Sequence, residues 1–282
     1  MNIIGQKKLL STINNLIENN NFPRYSIIVG NTGSGKKLIT SYIAEGLEAL
    51  LVPCELSVDS VREVIDLSYN QTSPTLYMWA DANRMSAGAK NAVLKVTEEP
   101  PQNAYFVMTT DNVNGLLNTL TSRGTVFNIN PYTVEDLVSY ASLKNIDTKS
   151  KEFNTIISIS TTPQDIIDLS NIDIIQFNKV VNVLCESVGN INLANILKIS
   201  TLLKFKDSDD DKEKFDPILF MKACMNTFIE FMKKDNKPIY YKFISKTSEY
   251  LADMYSKSLN KVCTVDNWLI DIDTLARKEK IL

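Results

Sequence analysis

The 282-residue chain contains no histidine. That absence removes serine–histidine and cysteine–histidine nucleophiles and the commonest general base, so any chemistry must come from phosphate loops, carboxylates, lysine and arginine. The four cysteines, Cys54, Cys185, Cys224 and Cys263, are far apart and make no C-x-x-C pair. A structural zinc site would need all four thiolates from distant segments. No zinc is therefore expected, and the cysteines read as small buried apolar residues in a reducing compartment. No apolar run approaches the ~20 residues that a bilayer span needs, and no basic start leads into an apolar stretch. A cytoplasmic protein with no membrane partner is expected. Positive charge is also in short supply: 30 Lys and Arg against 33 Asp and Glu leave a net charge of −3. Coating of nucleic acid by bulk attraction is excluded, and any such contact must be local or shared with partner subunits. The chain has no internal repeat and no Gly/Ser linker. Its hydrophobic content of 44% and charged content of 22% are ordinary for a globular protein, and its length suggests two domains or three smaller ones.

What is present is organised around residues 25–42, YSIIVGNTGSGKKLITSY. A short apolar run (Ile27, Ile28, Val29) meets a glycine-rich turn (Gly30, Gly33, Gly35), and a helix is expected from Lys36. Gly30, Gly35 and Lys36 fit the G-x-x-x-x-G-K spacing of a phosphate-binding Walker A loop. Backbone N–H groups converge on the anion where no side chain intervenes, and the helix start and a lysine add positive charge. Gly30, Asn31, Thr32, Gly33, Ser34, Gly35, Lys36 and Lys37 are the candidate nucleotide-binding residues. The departure is Lys37, which stands where Ser or Thr supplies the hydroxyl that holds magnesium.

Around this loop the sequence predicts an amphipathic helix over 2–20, a helix over 36–50, a short strand over 52–56 and a helix over 58–68 capped by Ser57. The run 76–80 (LYMWA) reads as a buried parallel strand that delivers Asp81 at its carboxyl end, where open α/β sheets bind ligands. A helix over 86–97, a strand over 105–109 ending at Thr109, Thr110 and Asp111, a helical stretch over 115–121 and a strand over 125–129 follow. This alternation predicts an α/β fold, one parallel doubly wound domain over 1–130. Beyond Pro131 helical patterns take over, at 134–144, 151–160, 163–169 (with Thr162 as N-cap and Pro163 in its first turn), 177–187, 192–204, 217–233, 238–258 and 266–278. The acidic run 207–214 reads as a solvated loop.

The string Asn91-Ala-Val-Leu-Lys-Val-Thr-Glu-Glu-Pro-Pro101 comes ten residues after Asp81 and is followed by a strand and then by Ser122-Arg123. In this arrangement the chain resembles the bacterial clamp-loader branch of the AAA+ ATPases. The resemblance covers the first 130 residues well, the next segment loosely, and the remainder by length and helical character. It implies a P-loop AAA+ core over 1–130, a helical lid over 131–176 and a helical collar over 177–282 through which subunits form a pentameric ring. Implied partners are the other clamp-loader subunits, a sliding clamp and primer–template DNA, and the implied process is DNA replication. Relatives carry a four-cysteine zinc module before the Walker B strand. Here Cys54 stands alone, so that module is absent. The compact chain and its Asn-rich, histidine-free composition suit a phage-encoded or low-GC bacterial version.

Set against this family, three parts of the hydrolytic apparatus are altered. Lys37 replaces the loop hydroxyl and brings a second ammonium toward the metal position, which weakens the case for Mg²⁺. The Walker B strand carries one acid. Counting back from Asn91 puts Ala80 at the metal aspartate and Asp81 at the glutamate, whereas aligning on the strand end makes Asp81 the metal ligand and Ala82 the missing base. On the lid, Gln164 stands where active relatives place an arginine, and a neutral amide does not neutralise phosphate as a guanidinium does. Negligible hydrolysis is expected, while static binding of ATP or ADP stays open. Arg123 matches the arginine finger that the family's Ser-Arg-Cys motif offers in trans, although Gly124 replaces the cysteine, and Thr110 matches the sensor threonine. Arg84, Lys90 and Lys95 are candidates for contact with the DNA backbone. Two rival readings are an active ATPase subunit of the same complex and a P-loop kinase acting on a small molecule.

Overall fold

The computed structural model of the chain describes residues 3–203, 215–256 and 259–280. The acidic run 207–214 lies outside them. The described chain divides into two compact units, Met1–Asp136 and Leu137–Leu282.

In the first unit, helix α1 (Lys7–Glu18) precedes β1 (Tyr25–Val29), α2 (Lys36–Gly46), β2 (Leu50–Cys54), α3 (Val58–Ser68), β3 (Thr75–Trp79), α4 (Ala87–Glu98), β4 (Ala104–Thr110), α5 (Asn118–Thr121) and β5 (Thr125–Asn128). The strands form one parallel sheet in the order β2-β3-β4-β1-β5. Because side chains alternate along a strand, neighbouring apolar residues serve opposite faces. Tyr25 and Ile27 of β1, Tyr77 and Trp79 of β3 and Phe106 and Met108 of β4 pack with α3, α4 and α5, through Val61, Val93, Val96 and Leu120. Ile28, Leu76, Met78, Val107 and Phe127 pack on the other face against α1 and α2, through Leu9, Ile13, Ile39 and Ile43. A sheet covered on both sides explains why β3 is buried throughout. Trp79 stacks on Phe106 with ring centroids 5.6 Å apart and planes 9° apart, which fixes the end of the strand that leads to Asp81.

Three boundaries in this unit differ from the sequence expectation for identifiable reasons. α2 stops at Gly46 because Glu48 turns left-handed at φ 51°, and β2 therefore starts at Leu50, earlier than residue 52. Pro53 is tolerated within β2 because that strand is an edge of the sheet. The first helix begins at Lys7, since Gln6 at φ 57° uses its side chain on a distant backbone rather than as a cap.

The second unit is helical: α6 (Val134–Leu143), whose start lies in the first unit, then α7 (Lys151–Ile159), α8 (Pro163–Ser170), α9 (Ile174–Ser187), α10 (Leu193–Leu202), α11 (Pro217–Asp235), α12 (Pro238–Ser256) and α13 (Lys261–Lys280). Thr162 caps α8 with Pro163 in its first turn, as the sequence predicts, and Asp165 returns the bond to complete a capping box; Ser57 caps α3 as predicted. α13 starts five residues ahead of the predicted 266 because the Asn260 side chain accepts from the Val262 and Cys263 N–H groups. A buried ion pair joins α8 to α11: Lys222 Nζ lies 2.8 Å from Asp165 Oδ2 and 2.9 Å from Thr161 Oγ1. The cysteines meet the expectation of burial at Cys185 and Cys224, whereas Cys54 is half-buried and Cys263 is exposed on α13. Among the described residues no helix is long and apolar enough to cross a membrane.

Candidate functional site

β1 sits between β4 and β5, while its own connection runs outward to β2. Its carboxyl end is thus a switch point of the sheet, the place where open α/β folds leave a ligand crevice. The glycine-rich loop occupies that point. Gly33 and Gly35 have φ of +79° and +88°, values that L side chains rarely adopt. Gly30 is needed for space instead, because a Cβ there would lie 2.6 Å from Ser34 Oγ and 2.9 Å from Ile129 Cβ. The loop is held from two sides: the Gly30 N–H donates to the Thr110 carbonyl at 3.1 Å, and the Tyr132 hydroxyl donates to the Ser34 carbonyl at 2.8 Å. Asn31 and Thr32 are exposed at its crest. Ser34 Oγ is buried and has no partner among the described residues, a costly arrangement that a phosphate oxygen would relieve. These features fit a nucleotide phosphate.

Lys36 is buried, and its ammonium donates to the carbonyls of Gly30 at 2.7 Å and Asn31 at 3.1 Å. Burial pushes its pKa down, the carboxylates of Asp81 and Asp111 pull it back up, and the neighbouring Lys37 charge lowers it further. Lys37 itself is exposed in the first turn of α2. Asp81 follows β3 in a left-handed conformation (φ 52°, ψ 48°), with its N–H donating to Thr109 Oγ1 at 3.1 Å. It is flanked by Ala80 and Ala82, so both Walker B registers leave this strand end with a single carboxylate. The second carboxylate that acts on Lys36 comes from Asp111, just beyond β4. One of its oxygens is buried without a partner among the described residues. Sequence reasoning passed over Asp111 as a strand-end residue. The available signal was an acid at the carboxyl end of the strand that neighbours the phosphate loop. Among the described residues no group of three or more His, Cys, Asp or Glu side chains is placed to hold a metal ion. The exposed Lys37 ammonium leaves the loop without the hydroxyl oxygen that would ligate Mg²⁺, and Asp81 and Asp111 are the acids that remain beside it.

The other predicted site residues are distributed as follows. The Thr110 hydroxyl is engaged in its own turn, donating to the Asn112 carbonyl at 2.9 Å and accepting from the Asn112 N–H at 3.1 Å. Arg123, just after α5, is exposed, donates to the Thr119 carbonyl at 3.2 Å and pairs with Glu98 at the end of α4. Arg84 and Lys95 are exposed. Lys90 is half-buried and ties the Asn83 and Gly115 carbonyls together at 3.1 and 2.7 Å, so its ammonium serves the fold of α4's neighbours rather than facing outward. In the second unit, Gln164 is exposed on α8 and donates to Asp168 at 2.8 Å.

Comparison with known proteins bears on this geometry. The family described as DNA polymerase III, delta subunit, matches residues 54–133. The delta' subunit of DNA polymerase III from Haemophilus influenzae is 33% identical over 78 residues, 27% of this chain and 24% of that protein. The gamma subunit from Buchnera aphidicola subsp. Schizaphis graminum is 27% identical over 175 residues, 51% of this chain and 48% of that protein. The chain is thus similar to the gamma and delta' subunits of DNA polymerase III. Its match spans about half the length of the gamma relatives, 48% and 47%. Solved structures share the fold of this chain. A gamma-subunit-related protein from Thermotoga maritima aligns over 95% of the chain and 100% of its own length, with a TM-score of 0.50 and 18% identity. The RuvB Holliday junction branch migration motor of the same organism covers 82% of the chain and 78% of its own length, with a TM-score of 0.50 and 18% identity.

Proposed function

We propose that the chain is a non-hydrolysing subunit of a clamp loader, one that holds a nucleotide statically and lends Arg123 to the nucleotide of a neighbouring ATPase subunit. The observation that carries the reading is the contrast between an exposed arginine and an altered metal site: Arg123 is accessible, while the loop position that should offer a hydroxyl offers Lys37. Guanidinium charge supplied in trans raises phosphoryl-transfer rates by on the order of 10³ to 10⁵. The other loader subunits in a pentameric ring, a sliding clamp and primer–template DNA are the proposed partners. A lid over 131–176 and a collar over 177–282 are the proposed subdivision beyond the core. Arg84 and Lys95 are the proposed DNA-backbone contacts, both exposed near the ends of the segment that follows β3.

Steady-state ATPase of the isolated chain tests the passive role. The expected result is no turnover above background, and turnover that Lys36→Ala abolishes would refute it. For the finger, Arg123→Ala in the assembled loader is expected to slow the partner's hydrolysis by on the order of 10³ while assembly stays intact. A mutant loader that hydrolyses at the normal rate sinks the assignment. A second reading, an active ATPase subunit, is favoured by one observation. Asp111 places a further carboxylate within electrostatic reach of Lys36. The same ATPase measurement separates the two.

A further inference from the structure

We infer that this loop binds a nucleoside di- or triphosphate without a divalent cation, the Lys37 ammonium occupying the role that magnesium has in related sites. The inference rests on the reading above that the loop holds a nucleotide. Two observations lead to it. The cradle for phosphate is complete: Gly33 and Gly35 are in left-handed backbone, Gly30 leaves no room for a Cβ, and Ser34 Oγ is buried without a partner among the described residues. The seat for a cation is altered, because Lys37 stands exposed in the first turn of α2 and only Asp81 remains at the end of β3. A hexahydrate-forming cation gains nothing from an ammonium, which repels it and offers no lone pair. A phosphate oxygen gains from the same ammonium what it would otherwise take from the metal, a charge-assisted hydrogen bond.

Lys37 follows Lys36 directly in the first turn of α2, and its charge acts on Lys36. Lys36 for its part is held on the Gly30 and Asn31 carbonyls, with Asp81 and Asp111 nearby. A metal-requiring loop needs the cation to offset phosphate charge against its carboxylates. Here the second lysine supplies that offset, one unit of positive charge fixed to the protein.

Titration of the purified full chain with a fluorescent ADP analogue, in EDTA and again in excess Mg²⁺, tests the inference. Dissociation constants within about threefold of each other are expected. Lys37→Thr, which restores the hydroxyl, is expected to weaken binding in EDTA by at least about tenfold, the scale of one lost charge-assisted hydrogen bond. Lys37→Arg should keep binding in EDTA. Lys37 is exposed, so the variants are expected to melt with the parent chain, which circular dichroism checks. Binding that appears only with Mg²⁺ overturns the inference and leaves the nucleotide-holding reading standing. Binding in EDTA that Lys37→Thr does not weaken removes Lys37 from the role. Binding in neither buffer overturns both.

Discussion

Gly124→Ala is expected to destabilise the first unit, and the reason is space rather than backbone conformation. Gly124 is not among the glycines with positive φ, so alanine meets no dihedral penalty there. With room available, the substitution would stabilise the fold by about 0.4–1 kcal/mol through the unfolded chain. A Cβ at 124, however, would lie 2.8 Å from Tyr25 Cε1 and 3.1 Å from Ile27 Cδ1 and Cγ1. Neither neighbour can swing aside. Tyr25 and Ile27 are buried on β1, and the Tyr25 hydroxyl donates to Met108 Sδ at 3.3 Å. Overpacking of this kind costs roughly 1–3 kcal/mol, which outweighs the entropic gain. The net loss of about 1–2 kcal/mol should be read as a lowered urea midpoint with an unchanged slope. Tyr25→Leu removes the offending ring edge, so the double variant should show coupling of about 1 kcal/mol or more. The cysteine of the family's Ser-Arg-Cys motif, introduced as Gly124→Cys, should cost more than alanine. If Gly124→Ala is as stable as the parent, or the cycle shows no coupling, the steric account fails.

Lys222→Ala leaves Asp165 with a buried, unpaired charge (side-chain exposures of 10% and 11% in the pair) and should cost about 3–5 kcal/mol in urea titrations. Burial alone would lower the Lys222 pKa, but Asp165 and Tyr255 outweigh it and raise it above 10.5. The stability contributed by that protonation is full below 10.5 and is lost as pH rises through the higher folded value, so alkaline titration should narrow the gap between parent and Lys222→Ala. Lys90→Ala frees two carbonyls and should lower stability by roughly 1–2 kcal/mol in thermal melts. Lys95→Ala should change stability by less than about 0.5 kcal/mol while weakening binding of primer–template DNA by the assembled loader, and unaltered DNA affinity would count against that contact.

The parallel core was legible because its strands are short apolar runs that end in polar residues, as in Leu76 to Asp81, and because glycines punctuate the one loop that needs them. Strand order was not legible from the residues themselves, since periodicity carries no information about neighbours. That gap hid Asp111: its role follows from β4 lying beside β1, as the pairing of Val29 with Thr110 shows. Lys90 failed for a related reason. A lysine on an amphipathic helix reads as solvated until the turn carrying Gly115 folds over it and offers a carbonyl. Arg123 was singled out by motif, while its ion-pair partner Glu98 was not, although both belong to strings singled out in the sequence. The start of α13 was missed because Asn260, a capping residue, sits outside the apolar pattern that defined the helix.

The side-chain amide of Gln6 exchanges two hydrogen bonds with the backbone of Asn130, at 2.8 and 2.9 Å, across a separation of 124 residues. It imitates a peptide group, and in doing so it brings the two ends of the first unit together. A unit whose ends are fastened side by side can be cut out as a cassette, or rejoined through a short linker and reopened at another surface loop, with its sheet order intact.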